Sequence, residues 1–172
     1  MKFYELSQNN SGGSFDVNDK LCHRLFIEAE SEKAALEIAE DLGCYWNGVD
    51  DGMDCECCGD RWYKSADEVD LEKMNTEWKG LEVSQWLDKN KGTHIEDVVI
   101  QNLKAQYPGS EWLVEPILEN KYGSARVIGK IRLDSVEQYA QILANLYGMS
   151  KPDCRIFYAN GEVKEIFRPE VK

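Results

Sequence analysis

The order of strand-like and helix-like patterns constrains the fold of this chain more than any other feature. Residues 3–7 and 21–28 predict the two strands of a hairpin, and residues 31–42 predict a helix after them. Apolar residues recur along one face of that helix, and Gly43 supplies a left-handed stop. Residues 61–65 predict a third strand. Residues 1–65 are therefore expected to form one α+β unit.

Residues 111–172 repeat this order of patterns. Two strands are predicted at residues 112–119 and 125–133, and a helix begins after them at the cap Asp134, with Glu137 completing a capping box.

The end of the chain carries the strongest turn signal. Residues 155–159 and 162–168 predict two strands that flank the dipeptide Asn160-Gly161. This dipeptide favours the positive φ angles of a type I′ turn, so we expect a tight hairpin.

The segment between the two units, residues 66–110, is expected to be a mostly helical connector. Thr93 and Glu96 form a capping box for a helix over residues 94–107. Five apolar residues before it fit a shorter helix or turn: Trp78, Leu81, Val83, Trp86 and Leu87. The predicted fold is α+β, with two small ferredoxin-like (split βαβ) units that have antiparallel sheets and are joined by this connector.

The distribution of charge indicates the kind of partner. The net charge is −12, and residues 1–65 hold 14 acidic and 6 basic side chains, whereas residues 111–172 hold 9 of each. Such an acidic region repels phosphate backbones and attracts basic protein surfaces. We therefore expect no direct binding to nucleic acid. A charge that serves solubility alone is the alternative.

Three cysteines within four residues, at Cys55, Cys57 and Cys58, are the strongest chemical signal. The chain begins without a secretory signal pattern and has no apolar run of membrane-spanning length, so we expect a cytoplasmic protein with reduced thiols. The spacing of Cys55 and Cys58, followed by a glycine, is that of a zinc knuckle, in which Cys57 points away.

A knuckle supplies two of the four ligands that structural zinc requires. Cys44 and Cys22 are the candidates for the other two, with His23 as a substitute. The alternative interpretation is that Cys22 and Cys44 are ordinary core residues and that the cluster is a reduced surface turn. Only His23 or His94 could act as base for a nucleophilic cysteine, and neither has a positional reason to pair with one. No glycine-rich phosphate loop is present.

Large aromatic residues lie beside acidic ones on both sides of the cysteines. Aromatic anchors ringed by charge are typical of protein-binding hot spots, although many tryptophans are core residues. The predicted partner-binding residues are Tyr45, Trp46, Asp50, Asp51, Asp54, Asp60 and Trp62.

The opening sequence from Lys2 to Phe15, KFYELSQNNSGGSF, and the run CECCGDRW from Cys55 to Trp62 resemble a group of small uncharacterised proteins of bacteriophages and prophages. The resemblance covers about the first 65 residues. It implies a phage accessory protein that acts in the bacterial cytoplasm, and it supplies no catalytic residues. Together with the acidic charge, it favours a non-enzymatic inhibitor of a host protein that serves anti-phage defence or handles nucleic acid.

A small-ligand module, such as a nucleotide sponge or sensor, is the alternative function. Paired α+β units can enclose a ligand, and basic residues gather in the charge-balanced C-terminal third. The candidate ligand-binding residues are Lys121, Arg126, Lys130 and Arg132.

Overall fold

The computed structural model describes residues 1–76, 83–88, 110–116 and 124–168. The strands are β1 (Lys2–Ser7), β2 (Arg24–Ala29), β3 (Asp67–Val69), β4 (Val83–Asp88), β5 (Ser110–Pro116), β6 (Ser124–Ile131), β7 (Cys154–Phe157) and β8 (Val163–Ile166). The α-helices are α1 (Glu32–Leu42), α2 (Leu71–Thr76) and α3 (Val136–Tyr147), and a 3-10 turn covers Ser11–Gly13.

The chain divides into two compact units. The first contains Met1–Asp70 together with Ser135–Lys172, and the second contains Leu71–Asp134. The predicted segments 1–65, 66–110 and 111–172 have different boundaries. The two ends of the chain meet in one sheet, so the predicted C-terminal segment is divided between the first unit and the second unit.

The sheet of the first unit has the strand order β3-β1-β2-β7-β8. The pairs β1–β2, β1–β3 and β7–β8 are antiparallel, as in hairpins, whereas β2 pairs with β7 in parallel, with Arg24 opposite Cys154. The predicted α+β class is confirmed, but its sheet is mixed rather than purely antiparallel. The predicted third strand at residues 61–65 is wrong, since β3 begins at Asp67.

The two long helices cover opposite faces of this sheet. On one face, Leu25 and Ile27 of β2 pack in a cluster with Ala35 and Ala39 of α1. On the other face, the rings of Phe26 and Tyr139 of α3 lie 5.8 Å apart at a steep angle. The ferredoxin-like arrangement, which places helices on one face, is not confirmed. The apolar run in β2 reflects burial on both faces.

Capping residues set the helix boundaries. Gly43 closes α1 with φ 109°, which confirms the predicted stop. The helix begins one residue later than predicted, because the Ser31 side chain accepts a hydrogen bond from the Ala34 N–H and Ser31 is the N-cap. The helix α3 is capped by Ser135, whose side chain accepts from the Gln138 N–H. The predicted cap at Asp134 is therefore one residue early.

The hairpin of β7 and β8 is confirmed, but its predicted turn type is wrong. The Gly161 N–H donates to the Tyr158 carbonyl, and the Tyr158 N–H donates to the Glu162 carbonyl, each over 2.9 Å. Gly161 has φ 86°, whereas Asn160 is not among the residues with positive φ. The loop thus has three residues and places its single left-handed residue at the glycine.

The second unit holds an antiparallel sheet with the order β4-β6-β5. The predicted hairpin of β5 and β6 is confirmed. The helix or turn expected around Val83 and Trp86 is wrong, because residues 83–88 form β4 and pair with β6. Valine and tryptophan favour strands where a neighbouring strand provides hydrogen-bond partners for the backbone. The predicted helix over residues 94–107 lies outside the described residues.

No helix in the described part of the chain is both long and apolar enough to span a membrane.

Candidate functional site

The three neighbouring cysteines lie on a tight turn, here called the cysteine turn, residues 55–59. The backbone N–H groups of Cys58 and Gly59 both donate to the Cys55 carbonyl, over 3.0 Å each. Gly59 has φ 84°, a left-handed conformation that glycine adopts without strain. The turn therefore presents its side chains from one closed loop of backbone.

The turn brings its three sulfur atoms together. The Sγ atoms of Cys55 and Cys57 are 2.9 Å apart, and those of Cys57 and Cys58 are 3.6 Å apart. All three lie within 4.8 Å of one another, so the group could bind a metal ion. Cys57 and Cys58 are exposed and Cys55 is half-buried. The prediction that Cys57 points away is wrong.

The contact between the sulfurs separates the acidities of two of the thiols. Once Cys55 is ionised, its sulfur accepts a hydrogen bond from the Cys57 thiol. This contact lowers the pKa of Cys55 to about 7, helped by hydrogen bonds from the Cys57 backbone and from Cys58. The same contact raises the pKa of Cys57 to about 11. Cys55 is thus the more readily ionised of the two.

Cys22 and Cys44, the predicted third and fourth ligands, do not join the turn. Both are buried in the hydrophobic cluster beneath α1, with exposed fractions of 0% and 5%. Burial raises the pKa of each thiol to about 12. The four-cysteine set is therefore not assembled, because two members serve as apolar core residues.

His23, the predicted substitute ligand, is also a core residue. Its ring lies 4.7 Å from that of Phe15, and its Nδ1 atom is buried without a hydrogen-bond partner. Burial lowers the pKa of His23 to about 4, with the positive charge of Arg24 acting in the same direction. This imidazole stays neutral at physiological pH.

Residues from the N-terminal loop hold the cysteine turn in place. The Cys55 N–H donates to the hydroxyl of Ser11, which is fully buried, over 2.9 Å. The Asn9 side-chain amide donates to the carbonyls of Cys58 and Asp60, over 2.6 and 3.2 Å. These contacts span more than 40 positions of sequence and fix the turn to the end of β1.

The buried side chain of Arg61 contacts the same loops. Its guanidinium donates to the carbonyls of Ser14 and Ser11 over 2.6 and 3.2 Å and to the Tyr45 hydroxyl over 3.1 Å. It also lies 3.3 Å from a carboxylate oxygen of Asp16 and 3.4 Å from one of Asp54. A buried guanidinium with this many partners acts as a fixed cross-link between loops.

Asp54 and Asp60, two of the predicted partner-binding residues, bond to the loops that carry them; Asp54 is enclosed and Asp60 is half-buried. The Asp54 carboxylate has no exposed surface, and accepts from the Tyr45 hydroxyl over 2.9 Å and from the Arg61 N–H over 2.7 Å. One oxygen of Asp60 accepts from the Val49 N–H over 2.8 Å. A Cβ on Gly48 would lie 2.0 Å from the Asp54 carboxylate, so glycine is required there. Both aspartates support the loops.

The other predicted partner-binding residues divide between core and surface. Trp62 is 1% exposed and belongs to the core, Tyr45 serves the Arg61 network, and half-buried Trp46 donates from Nε1 to Glu40. Asp50 and Asp51 are exposed.

Three further residues near the turn are exposed but are not among the predicted partner-binding residues. Met53 and Tyr63 expose 59% and 55% of their surface, and Glu56 is also exposed. Tyr63 lies beside the cysteine turn, since a Cβ on Gly59 would come within 3.2 Å of its hydroxyl. Their positions close to Cys55 and Trp62 in the sequence are the pattern that indicates a place near the cysteine turn.

The candidate ligand-binding residues of the alternative function lie in the second unit. The register places Glu115 opposite Arg126 and Glu111 opposite Lys130, so an acidic position faces each basic one. Arg132 is exposed and lies 3.4 Å from the Asp134 carboxylate. Lys121 lies outside the described residues.

Comparison with known proteins identifies a family for this chain. The family described as Domain of unknown function (DUF7296) matches residues 1–98, more than half of the chain. The chain belongs to this family. The match includes β1, β2, α1 and the cysteine turn, so the candidate site lies within the part that family members share. Neither a curated protein nor a solved structure matches the chain.

Proposed function

We propose that the protein is a non-enzymatic binding protein that docks on a basic protein partner through its acidic loop surface. This surface consists of three exposed carboxylates and two exposed apolar side chains around the cysteine turn: Asp50, Asp51, Glu56, Met53 and Tyr63. Apolar anchors next to charge give a protein interface both affinity and specificity.

The division of acidic residues between inside and outside carries this proposal. Asp54 is enclosed and half-buried Asp60 bonds to the Val49 backbone, so both hold the loops, whereas Asp50, Asp51 and Glu56 are exposed to solvent. A frame that is ordered before binding loses little conformational entropy when the partner docks. The loops are thus suited to recognition by a fixed pattern of charge.

The charge of the surrounding region supports a basic partner. Residues 1–65 carry 14 acidic and 6 basic side chains, which attracts a cationic protein surface and speeds encounter at low salt. The resemblance of the opening sequence and of the CECCGDRW run to phage proteins supports a bacterial target. The proposed role is inhibition of a host protein of anti-phage defence or nucleic-acid handling, in the bacterial cytoplasm.

The proposal of a non-enzymatic role is supported by the surroundings of the thiols. No described histidine or carboxylate joins the group formed by Cys55, Cys57 and Cys58, whose sulfurs lie within 4.8 Å of one another. His23, a candidate base for a nucleophilic cysteine, is enclosed in the core with a lowered pKa.

A capture experiment with two matched variants tests the proposal. The loop variant carries Asp50→Asn, Asp51→Asn and Glu56→Gln, and the control variant carries the same charge change at exposed positions elsewhere: Asp19→Asn, Glu30→Gln and Asp41→Asn. Proteins captured from bacterial lysate are quantified by mass spectrometry at low and moderate salt.

We expect one or more basic proteins to be captured by the wild type and the control variant, lost at least about tenfold by the loop variant, and reduced as salt rises. Capture that is equal for both variants, or that does not depend on salt, contradicts the proposal.

A further inference from the structure

The cysteine turn has a chemical capacity that docking by charge does not use. Its three sulfurs lie on one side of a closed backbone turn, with the shortest separation, 2.9 Å, between Cys55 and Cys57. One disulfide can join only two of the three cysteines, whereas all three thiols can bind one cation.

The sulfur separations are on the scale of a thiolate metal site. Zinc–sulfur bonds of about 2.3 Å in a tetrahedron place sulfur atoms about 3.8 Å apart. The separation of Cys57 and Cys58 is 3.6 Å, and that of Cys55 and Cys57 is shorter. Because the Cys57 side chain is exposed, a change in its χ1 angle can widen the shorter separation without moving packed atoms.

The surroundings fix the number of protein ligands. No histidine, aspartate, glutamate or further cysteine among the described residues joins this group. Asp54 and Asp60, the nearest acidic residues in the sequence apart from Glu56, already accept hydrogen bonds from backbone N–H groups. One position of a four-coordinate ion is therefore left for a ligand from outside this group.

We propose that Cys55, Cys57 and Cys58 form a three-thiolate site for a thiophilic d¹⁰ cation of the zinc type, with the fourth position open to solvent or to a partner side chain. Thiolates select such soft ions over calcium and magnesium. Binding releases the thiol protons to the buffer and changes no oxidation state. The site differs from the predicted knuckle because Cys57 is a ligand and Cys22 and Cys44 are not.

The turn is preorganised for this role. The Cys55 N–H is fixed by Ser11 and the Cys58 carbonyl by Asn9, over 2.9 and 2.6 Å, so the ends of the three-ligand segment are set by contacts outside it. A site held by such supporting bonds loses less freedom on binding an ion than a free peptide does. Asn9→Ala is expected to weaken metal binding without removing a ligand.

Titration of the reduced full-length protein with Cd²⁺ alone, in the absence of oxygen, tests the site. We expect a thiolate-to-metal charge-transfer band that saturates at one equivalent, and a large excess of Zn²⁺ should compete with the softer cadmium. Cys55→Ser, Cys57→Ser and Cys58→Ser should each weaken binding at least about tenfold. Cys44→Ala, which removes a buried thiol, should leave it unchanged. A saturable band at one equivalent that Cys57→Ser leaves unchanged overturns the three-thiolate site, as does the absence of such a band.

A second measurement needs no substitution, so it remains informative where a variant does not fold. The wild type is treated with iodoacetamide with and without one equivalent of Zn²⁺, and the modified cysteines are located by peptide mass spectrometry. Protection of Cys55, Cys57 and Cys58 together supports the proposal. Protection of two or fewer of these thiols contradicts it.

Discussion

The core beneath α1 and the loops beneath the cysteine turn are stabilised by different forces, although they adjoin each other. The core is built from apolar side chains that include Leu25, Ile27 and the thiols of Cys22 and Cys44. The loops are held instead by hydrogen bonds and ion pairs that converge on Arg61. Apolar burial tolerates small changes of shape, whereas a buried charge network depends on every partner. Residue type alone therefore does not tell where a cysteine or an aspartate serves structure.

The largest expected difference between the two regions is in thiol reactivity. Cys22 and Cys44 are buried with pKa values of about 12, so at pH 7.5 their thiolate populations are at least about 10³-fold below that of an ordinary thiol. Iodoacetamide should modify Cys55 first, because its pKa is lowered, and then the exposed Cys57 and Cys58. The buried thiols of Cys22, Cys44 and Cys154 should react only after unfolding. Time-resolved mass spectrometry counts the adducts, and the unfolded protein in urea provides the control. Four or more adducts at early times in the folded protein would show that at least one buried cysteine reacts as readily as the turn cysteines, contrary to this prediction.

Removal of Arg61 should cause the largest loss of stability. Arg61→Met leaves the fully enclosed Asp54 carboxylate without its positive partner, which should lower the free energy of unfolding by about 3–5 kcal/mol. Urea unfolding followed by circular dichroism measures this change.

Lys64→Met is the matched control for this substitution. It removes an exposed ion pair with Glu40 and should change the free energy of unfolding by no more than about 0.5 kcal/mol. An effect below about 1 kcal/mol for Arg61→Met would show that the loops do not depend on the network.

The smallest expected effect is a loss of stability at acidic pH, and it comes from the core residue His23. The pKa of His23 is about 4 in the folded protein, against 6.5 for an ordinary histidine, so the unfolded chain binds a proton that the folded chain does not between these values. Stability should therefore fall as pH drops from 6.5 to 4, by about 3 kcal/mol from this residue.

His23→Gln should remove that part of the pH dependence, and urea unfolding at pH 7 and pH 4 compares the two proteins. The neighbouring charges, Arg24 and Asp153, remain in both and cancel in the difference. If the free energy of unfolding falls equally between pH 7 and pH 4 in the wild type and in His23→Gln, the buried imidazole does not titrate in this way.

Local patterns predicted the local structure of the first unit well. The strands β1 and β2, the helix α1 and the stop Gly43 follow from apolar spacing and from side chains a few residues apart. The parallel pairing of β2 with β7 joins residues about 130 positions apart, and nothing in either strand encodes its distant neighbour. The sequence therefore could not show that the two ends share one sheet.

The candidate site was predicted in part for the same reason. The cluster of cysteines is visible in the sequence, but the contact of Cys57 with Cys55 depends on the turn that Gly59 closes. The inward direction of Asp54 depends on Arg61, whose other partners, Ser11 and Ser14, lie about 50 residues away. Long-range polar contacts of this kind decide which acidic residues remain free to meet a partner.

The pairing of β2 with β7 also has a consequence for biosynthesis. A ribosome makes β2 early, and the strand that covers its second edge emerges only after about 125 further residues. At ordinary elongation rates of about 5–20 residues per second, that edge, with its apolar neighbours Leu25, Phe26 and Ile27, waits for several seconds or longer. Nascent chains are therefore exposed to aggregation during this interval, and premature termination before Cys154 yields a product with an uncovered strand.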